Sequence, residues 1–468
     1  MTVRWAAGGS VRPVRTTIRP SMGNVLDTIF KAYDVRGVYP DEIDEDVARR
    51  IGNAFAVFTG SDRLVVAYDM RPSSGPLSAA FIDGATLAGA SVVDAGLAST
   101  DLIYFAAGRL DAPGAMFTAS HNPAQYNGIK LCRAGAAPVG QDTGLAQIKA
   151  AVAEGRLERA ATPGTVTRRD MVDEFAAHVR GFVDVAALAP LTVVADTANG
   201  MGGLVVPRVF DGLPFHLSVL FPELDGTFPN HPADPIQAEN LRDLQAAIRD
   251  KGADVGLAFD GDADRVFLVD DRAEPLSGSL TTSIVAKGIL ETHPGETVVH
   301  NLICSRAVPE IIREMGGTPV RTRVGHSFIK QVMAETGAIF GGEHSGHYYF
   351  RDNWRADSGI IAALVVLAQL SRAGVPLSEL RRPFERYADS GEINTRVADQ
   401  QAAMEKVAAA WPDAPQDRLD GLSVDCGDFW FNVRPSNTEP LLRLNLEARD
   451  AETCRRATDE VLALIRGA

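Results

Sequence analysis

Leu191-Thr-Val-Val-Ala-Asp196 is a Val-rich run that ends on an acid; a helical stretch follows from Gly202 to Phe210, and then His216-Leu-Ser-Val-Leu220. The reading is strand, helix, strand. The same order stands upstream, in Leu64-Val-Val-Ala-Tyr-Asp69, a helix near Leu77 to Leu87, and Ser91-Val-Val-Asp-Ala-Gly96. It stands again downstream, in Thr297-Val-Val-His300, a helix near Ser305 to Met315, and Thr318-Pro-Val-Arg-Thr-Arg-Val324. Short β-branched runs closed by turn residues and alternating with helices are the signature of βαβ units on a mainly parallel sheet. Three copies this far apart predict three similar α/β domains and exclude a solenoid, whose repeats are much shorter.

The C-terminal part breaks the pattern. Leu422-Ser-Val-Asp-Cys426, Phe429-Trp-Phe-Asn-Val433 and Leu441-Leu-Arg-Leu-Asn-Leu446 are strands in succession, closed by a helix from Ala451 to Ile465. That order predicts a smaller antiparallel α+β domain, with a hinge at the Arg381-Arg-Pro-Phe384 stretch before it. The units are expected at 25–165, 166–275, 276–378 and 379–468. Residues 1–24 carry Arg4, Arg12, Arg15 and Arg19, no acid and no apolar core, and are read as a disordered basic tail.

Composition narrows the function. Of 468 residues 46% are hydrophobic and 23% charged, which are ordinary globular values. A net charge of −14 argues against nucleic acid as a partner. Ile360 to Ala368 is the longest apolar run, far short of the roughly 20 residues of a membrane span, and reads as a buried helix. The four Cys (132, 304, 426 and 454) form no CxxC pair and read as reduced thiols of a cytoplasmic protein. Lys is scarce, seven against 39 Arg, so a Lys inside a motif stands out.

Four motifs carry chemistry. Asp260-Gly-Asp-Ala-Asp-Arg265 follows the strand Val255 to Phe259 and sets three carboxylates at alternate positions, suited to Mg²⁺ or Ca²⁺. It is not an EF-hand, because Arg265 and Asp271 stand where that loop needs Gly and Glu. Thr118-Ala-Ser-His-Asn-Pro123 puts Ser120 and His121 at a strand exit, followed by Tyr126-Asn-Gly-Ile-Lys130, and lacks the G-x-S-x-G of a hydrolase elbow. Gly341-Gly-Glu-His-Ser-Gly-His347 offers donors and acceptors suited to sugar hydroxyls. Arg434-Pro-Ser-Asn-Thr-Glu-Pro440 gathers a guanidinium, hydroxyls and backbone N–H groups into a phosphate cradle. Read singly, each has a plainer alternative: an acidic surface turn, a polar turn, a zinc site, an Asx or Ser turn. Tyr33-Asp-Val-Arg-Gly37 and Gly325-His-Ser-Phe-Ile-Lys330 are weaker pieces, and Asp196-Thr-Ala-Asn-Gly-Met-Gly-Gly203 reads as a structural turn.

Taken together, TASHNP, DGDADR, GEHSGH and RPSNTEP resemble the α-D-phosphohexomutase family, most closely its phosphomannomutase/phosphoglucomutase branch, from about Phe30 to the C-terminus. The resemblance implies three mixed α/β domains and a C-terminal α+β, TATA-binding-protein-like domain around a central cleft. It implies interconversion of hexose 1-phosphate and 6-phosphate, of mannose or glucose, through a phosphoserine and a hexose 1,6-bisphosphate. By the same resemblance Ser120 carries the phosphoryl group, and Asp260, Asp262 and Asp264 hold Mg²⁺ with a phosphoserine oxygen. Glu343, His344 and Ser345 meet the sugar; Arg434, Ser436, Asn437 and Thr438 hold the non-reacting phosphate. Lys130, Arg265, His326 and His347 lie near the reacting oxygens, with His326 and Lys130 the acid/base candidates. Tyr33, Arg36 and His121 line the cleft. The partners are small sugar phosphates, with no nucleic acid and no membrane, and the enzyme is a monomer or weak homo-oligomer.

Three departures from the family pattern bear on specificity. His344 stands where the sugar subfamilies differ, and Asn437 leans toward mannose or glucose. Ile303 occupies a position where relatives carry a phosphate-contacting Lys, so Arg306, Arg321 or Arg323 is expected to compensate. A phosphoglucosamine-type mutase and a metal-dependent sugar phosphatase are the alternative enzymes; a non-catalytic sensor is the third reading.

Overall fold

The computed structural model describes residues 22–436 and 441–467. The basic-tail reading falls outside this range except at its end, where the helix Met22–Ile29 begins. No single helix among the described residues is long and apolar enough to cross a membrane.

Each repeated unit keeps the predicted strand–helix–strand. Arg63–Tyr68 lies parallel to Ser91–Leu97, Thr192–Asp196 to His216–Leu220, and Thr297–Asn301 to Thr318–Thr322. A third parallel strand joins the other side of each first strand: Gly114–Phe117, Val255–Phe259 and Phe340–Gly342. That strand then turns back antiparallel, as Tyr126–Cys132, Val266–Asp270 and Tyr348–Phe350. Each sheet is therefore mixed, a parallel part extended by an antiparallel hairpin, and each of the first three motifs is the tip of such a hairpin. The C-terminal unit repeats the device, because Phe429–Pro435 pairs antiparallel with Leu441–Ala448.

Several elements escaped the sequence reading, and three of them are strands that bear on the unit bounds and the site. Val35–Val38 adds an edge strand beside Tyr126–Cys132. Val166–Arg168 closes the other edge of the first sheet by pairing with Ser91–Leu97. The first unit thus runs past residue 165; all three residues of this strand are exposed and give no apolar signal. Ala388–Arg396 is a polar edge strand on Leu441–Ala448, with too few apolar residues to show a period of two.

The apolar run becomes the helix Gly359–Ala373, capped at the start by Ser358, which accepts from the Ile361 N–H, and at the end by Gly374 at φ 62°. It is apolar all round, so it belongs inside. It joins one continuous core with Val193, Leu257, Ile284 and Phe340, shared by the first three units; the fourth has its own core around Phe431, Leu444 and Val461. The stretch expected to be a hinge is fastened instead: Arg381 Nη1 donates to Asp270 Oδ2 (2.9 Å), and Tyr387 OH donates to Glu310 Oε1 (2.6 Å).

The helix Thr100–Leu110 is the joint between units. The Thr100 N–H donates to the carbonyl of Asp262 at 3.0 Å, and Ser358 Oγ donates to Asp101 Oδ2 at 2.7 Å. Burial pushes the Asp101 carboxyl up to about 7, against the hydrogen bonds from Ser99 and Ser358. A carboxyl raised in this way stays protonated in the fold while the unfolded chain ionises. Its contribution is present below the unfolded value near 4 and is lost as pH rises toward 7. Asp101→Asn removes that titration. Between pH 4 and 7 the wild type should lose stability relative to Asp101→Asn by a few kcal/mol, read from denaturant midpoints at each pH; parallel curves for the two proteins would contradict it.

Candidate active site

The tips of the first two hairpins meet. Ser120 leaves the strand Gly114–Phe117 through a left-handed turn at φ 49°, its N–H bonded to Thr118 Oγ1 at 2.9 Å. Arg71 fastens this loop from below, donating to the carbonyls of Ser120 and Asn122 through Nη2 and of Pro123 and Tyr126 through Nη1. Ser120 Oγ reaches Asp260 Oδ2 at 2.7 Å. The approach is close because residue 261 is Gly: a Cβ there would lie 2.4 Å from the Ser120 carbonyl oxygen. Ala263, at φ 61°, turns the chain so that the three Asp converge.

Each carboxylate is held differently. Asp260 Oδ1 accepts from the Arg265 N–H (3.2 Å). Asp262 Oδ2 accepts from Thr100 Oγ1 (2.6 Å) and Lys130 Nζ (2.8 Å). Asp264 Oδ2 accepts from Lys130 Nζ (2.6 Å). The other oxygens of Asp262 and Asp264, both Oδ1, are buried without a hydrogen-bond partner. Buried, unpaired carboxylate oxygens are costly, and a hard divalent cation satisfies them. This donor set fits Mg²⁺.

Electrostatics separates the three. Burial pushes the Asp260 carboxyl well above the usual range, and Asp264 and Asp262 add to it. For Asp262 burial acts in the same direction, but the charge of Lys130 and hydrogen bonds from Lys130 and Thr100 outweigh it and hold the carboxyl low. Burial alone would lower the Lys130 ammonium; the two carboxylates lift it well above the usual Lys range. Lys130 is therefore a fixed cation between two acids.

The histidines behave oppositely. Burial lowers His326 to about 3, with Lys330 assisting, so it is neutral at pH 7 and a weak base. Burial and Arg265 lower His347 to about 4. His347 Nδ1 lies 3.0 Å from Ser345 Oγ, and Arg265 Nε donates to its Nε2 at 3.2 Å. Arg265 also reaches His121, whose Nδ1 lies 3.3 Å from Ser120 Oγ. Burial, then Arg265 and Arg36, push His121 well below its ordinary value.

The third hairpin tip faces this cluster. Glu343 accepts from Tyr349 OH (2.7 Å) and from the N–H of Gly325 (3.1 Å), and burial raises its carboxyl. His344 Nδ1 lies 2.9 Å from Ser279 Oγ. Tyr33 sits edge-on to His326, ring centroids 5.0 Å apart, and Arg36 Nη1 donates to Asn122 Oδ1 at 2.6 Å.

On the fourth tip, Arg434 is buried and donates to Asn445 Oδ1 (2.6 Å) and to Glu392 Oε2. Glu392 comes from the unforeseen strand, so its role was hidden with it. Asn437 and Thr438 lie outside the described residues. Of the cations expected to answer Ile303, Arg306 is paired with Asp425 and Arg321 with Asp417, both acids of the fourth unit. Arg323 lies over the Phe328 ring, 4.5 Å from its centroid.

Two further buried groups were missed. Lys330 Nζ pairs with Asp357 Oδ1 at 2.9 Å and lies 3.9 Å from the centroid of the Tyr104 ring. Lys330 ends a quoted motif in a chain poor in Lys, a signal that was available; Asp357 and Thr100 had none.

The sequence matches four family descriptions in order. These are Phosphoglucomutase/phosphomannomutase alpha/beta/alpha domains I (27–159), II (173–274) and III (277–387), and the C-terminal domain (392–464). Phosphohexose mutases of Xanthomonas campestris pv. campestris are 41% identical over 445 residues, covering 94% of this chain and 99% of theirs. A phosphomannomutase of Salmonella montevideo is 38% identical over 450 residues, covering 94% of this chain and 99% of its own. A phosphoglucomutase/phosphomannomutase family protein from Burkholderia thailandensis superposes with a TM-score of 0.87 at 32% identity, over 96% of this chain and 98% of that one. Two structures of Aspergillus fumigatus N-acetylphosphoglucosamine mutase share the fold. One, with glucose 1,6-bisphosphate, has a TM-score of 0.60 at 13% identity over 97% and 99% of the two chains. The other, with GlcNAc-6P and magnesium, has 0.61 at 14% over 96% and 99%.

Removing the cation between Asp262 and Asp264 leaves two buried carboxylates without it. Lys130→Met should lower the stability of the metal-free protein by about 3–5 kcal/mol at pH 7. The loss should shrink between pH 7 and pH 4, because buried carboxyls deprived of the ammonium are raised above their unfolded value and protonate in that range, which relieves the variant. Denaturant midpoints at pH 7 and pH 4 check both; an equal loss at the two would contradict the ion pair as its cause.

Proposed function

The chain belongs to the phosphoglucomutase/phosphomannomutase family, and from that premise we propose that it interconverts the 1- and 6-phosphates of mannose or glucose through a phosphorylated Ser120. The observation that carries this reading is the 2.7 Å contact between Ser120 Oγ and Asp260, in a turn whose other two Asp each keep one unpaired oxygen. Asp260, Asp262 and Asp264, with an oxygen of the phosphoserine, would hold Mg²⁺. When bound, the ion neutralises charge on the transferring phosphoryl group.

The side chains account for the remaining steps. A sugar hydroxyl attacks phosphorus as the bond from phosphorus to Ser120 Oγ breaks, and the departing Oγ takes up one proton to become the serine hydroxyl, matching the one the sugar gives up. His326 is the group the family resemblance assigns to the hydroxyl proton; burial leaves it neutral at pH 7 but a weak base. Arg265 and Lys130 stay positive beside the developing charge. The product of this half is a hexose 1,6-bisphosphate. It turns end for end and returns its other phosphoryl group to Ser120. Glu343, His344 and Ser345 orient the sugar hydroxyls in either pose. Arg434, Ser436, Asn437 and Thr438 hold whichever phosphate is not reacting, which requires Arg434 to exchange its contact with Glu392 for the phosphate. We place the enzyme in the cytoplasm, as a monomer or weak homo-oligomer. Four free thiols support a reducing compartment.

Ser120→Ala should lower kcat by more than about 10³-fold, as loss of a covalent nucleophile does. A coupled assay on mannose 1-phosphate and glucose 1-phosphate, primed with glucose 1,6-bisphosphate, measures it; near wild-type turnover would reject the phosphoserine. Phosphate release without isomerised sugar phosphate would identify a phosphatase. EDTA should abolish activity and Mg²⁺ restore it in the wild type, with Asp262→Asn needing far more Mg²⁺.

A further inference from the structure

Thr100 stands outside all four motifs, in the first unit, yet its side chain touches the metal turn of the second. Its Oγ1 donates to Asp262 Oδ2 at 2.6 Å, and its own N–H bonds the Asp262 carbonyl at 3.0 Å. Both Thr100 and Asp262 are fully buried, so no solvent competes for the contact. The residues on either side are held as well. Ser99 Oγ donates to Asp101 Oδ1, and Ser358 of the third unit donates to Asp101 Oδ2. Thr100 is thus fixed from within the first unit and from the third where it meets the second.

The consequence lies in which Asp262 oxygen is left over. Lys130 and Thr100 both occupy Oδ2, and Oδ1 is the buried oxygen without a partner. Lys130 binds Asp264 as well, so its position answers to both acids. The Thr100 hydroxyl, on a fixed helix turn, is aimed at Asp262. We propose that Thr100 is a positioning residue for the divalent cation: it holds the Asp262 carboxylate in the rotation that keeps Oδ2 occupied and leaves Oδ1 for the ion. The inference rests on the metal reading of the aspartate turn given above. Groups that orient a metal-binding carboxylate typically matter 10- to 100-fold in affinity.

The test is Mn²⁺ affinity, measured on the full-length, metal-stripped protein by the loss of the free-ion electron paramagnetic resonance signal. The readout needs no turnover. Thr100→Val keeps the shape and removes the hydroxyl, and should raise the Mn²⁺ dissociation constant by about 10-fold or more. Thr100→Ser restores the hydroxyl and should return it to within about two-fold of wild type, a rescue that a packing role would not give. Thr100→Ala deletes the same hydroxyl with less steric demand and should match Thr100→Val; it stands in if the valine variant fails to fold. Equal affinity in wild type, Thr100→Val and Thr100→Ala would overturn the proposal, as would a serine variant as weak as valine. Asp262→Asn separates the two readings. If that variant loses Mn²⁺ and the hydroxyl deletions do not, only the role of Thr100 falls. If Asp262→Asn binds as wild type does, the metal reading falls and takes this one with it.

Discussion

The buried charge at the meeting of the first two hairpin tips constrains everything around it. Three carboxylates lie within one turn, beside the serine that faces them. A cluster of that sign cannot be buried without cations and donors fixed against it. Lys130 supplies charge from one unit, Arg265 from the turn itself, and Thr100 a hydroxyl from a helix end. Of these, Lys130 and Thr100 arrive across a unit boundary. The site and the packing of the first unit on the second are therefore one problem.

The hairpins explain how four separate loops come to serve one cleft. In each α/β unit the motif leaves the carboxyl end of a parallel strand, where open α/β sheets present their ligand sites. The strand that follows turns back antiparallel, so the loop is gripped on both sides. Short two-sided loops hold side chains more tightly than long crossovers do. The fourth unit lacks the βαβ core but keeps the gripped loop, which shows that the hairpin, and not the α/β sheet, is the shared device.

The fourth unit is fastened differently from the others. Its core is separate, and its ties to the third unit are polar: Arg306 to Asp425, Arg321 to Asp417, the Arg306 N–H to Glu447. Polar contacts between units exchange for water at little net cost, whereas a shared apolar core does not. The first three units are thereby a single body, and the fourth is an addition to it. Arg434, the candidate phosphate ligand, rests on Glu392 of its own unit, so its charge is already compensated before any ligand arrives.

Much of the site was legible locally. Motifs of contiguous residues announce themselves because one loop holds all their chemistry, and this is why Ser120, the three Asp, Glu343 and Arg434 could be named from the chain alone. The βαβ units were legible for a similar reason: their strands are Val-rich and their helices close in sequence. Tertiary structure decided which strand turned back, because antiparallel and parallel partners carry the same apolar pattern. It decided that Lys130 is a locked cation, since an ammonium becomes one only when two carboxylates lie on it. It alone revealed Thr100, Arg71, Glu392 and the Asp357 that answers Lys330, whose partners stand tens to hundreds of residues away. A period in the sequence reports the face a residue buries; it carries no record of what waits across the boundary.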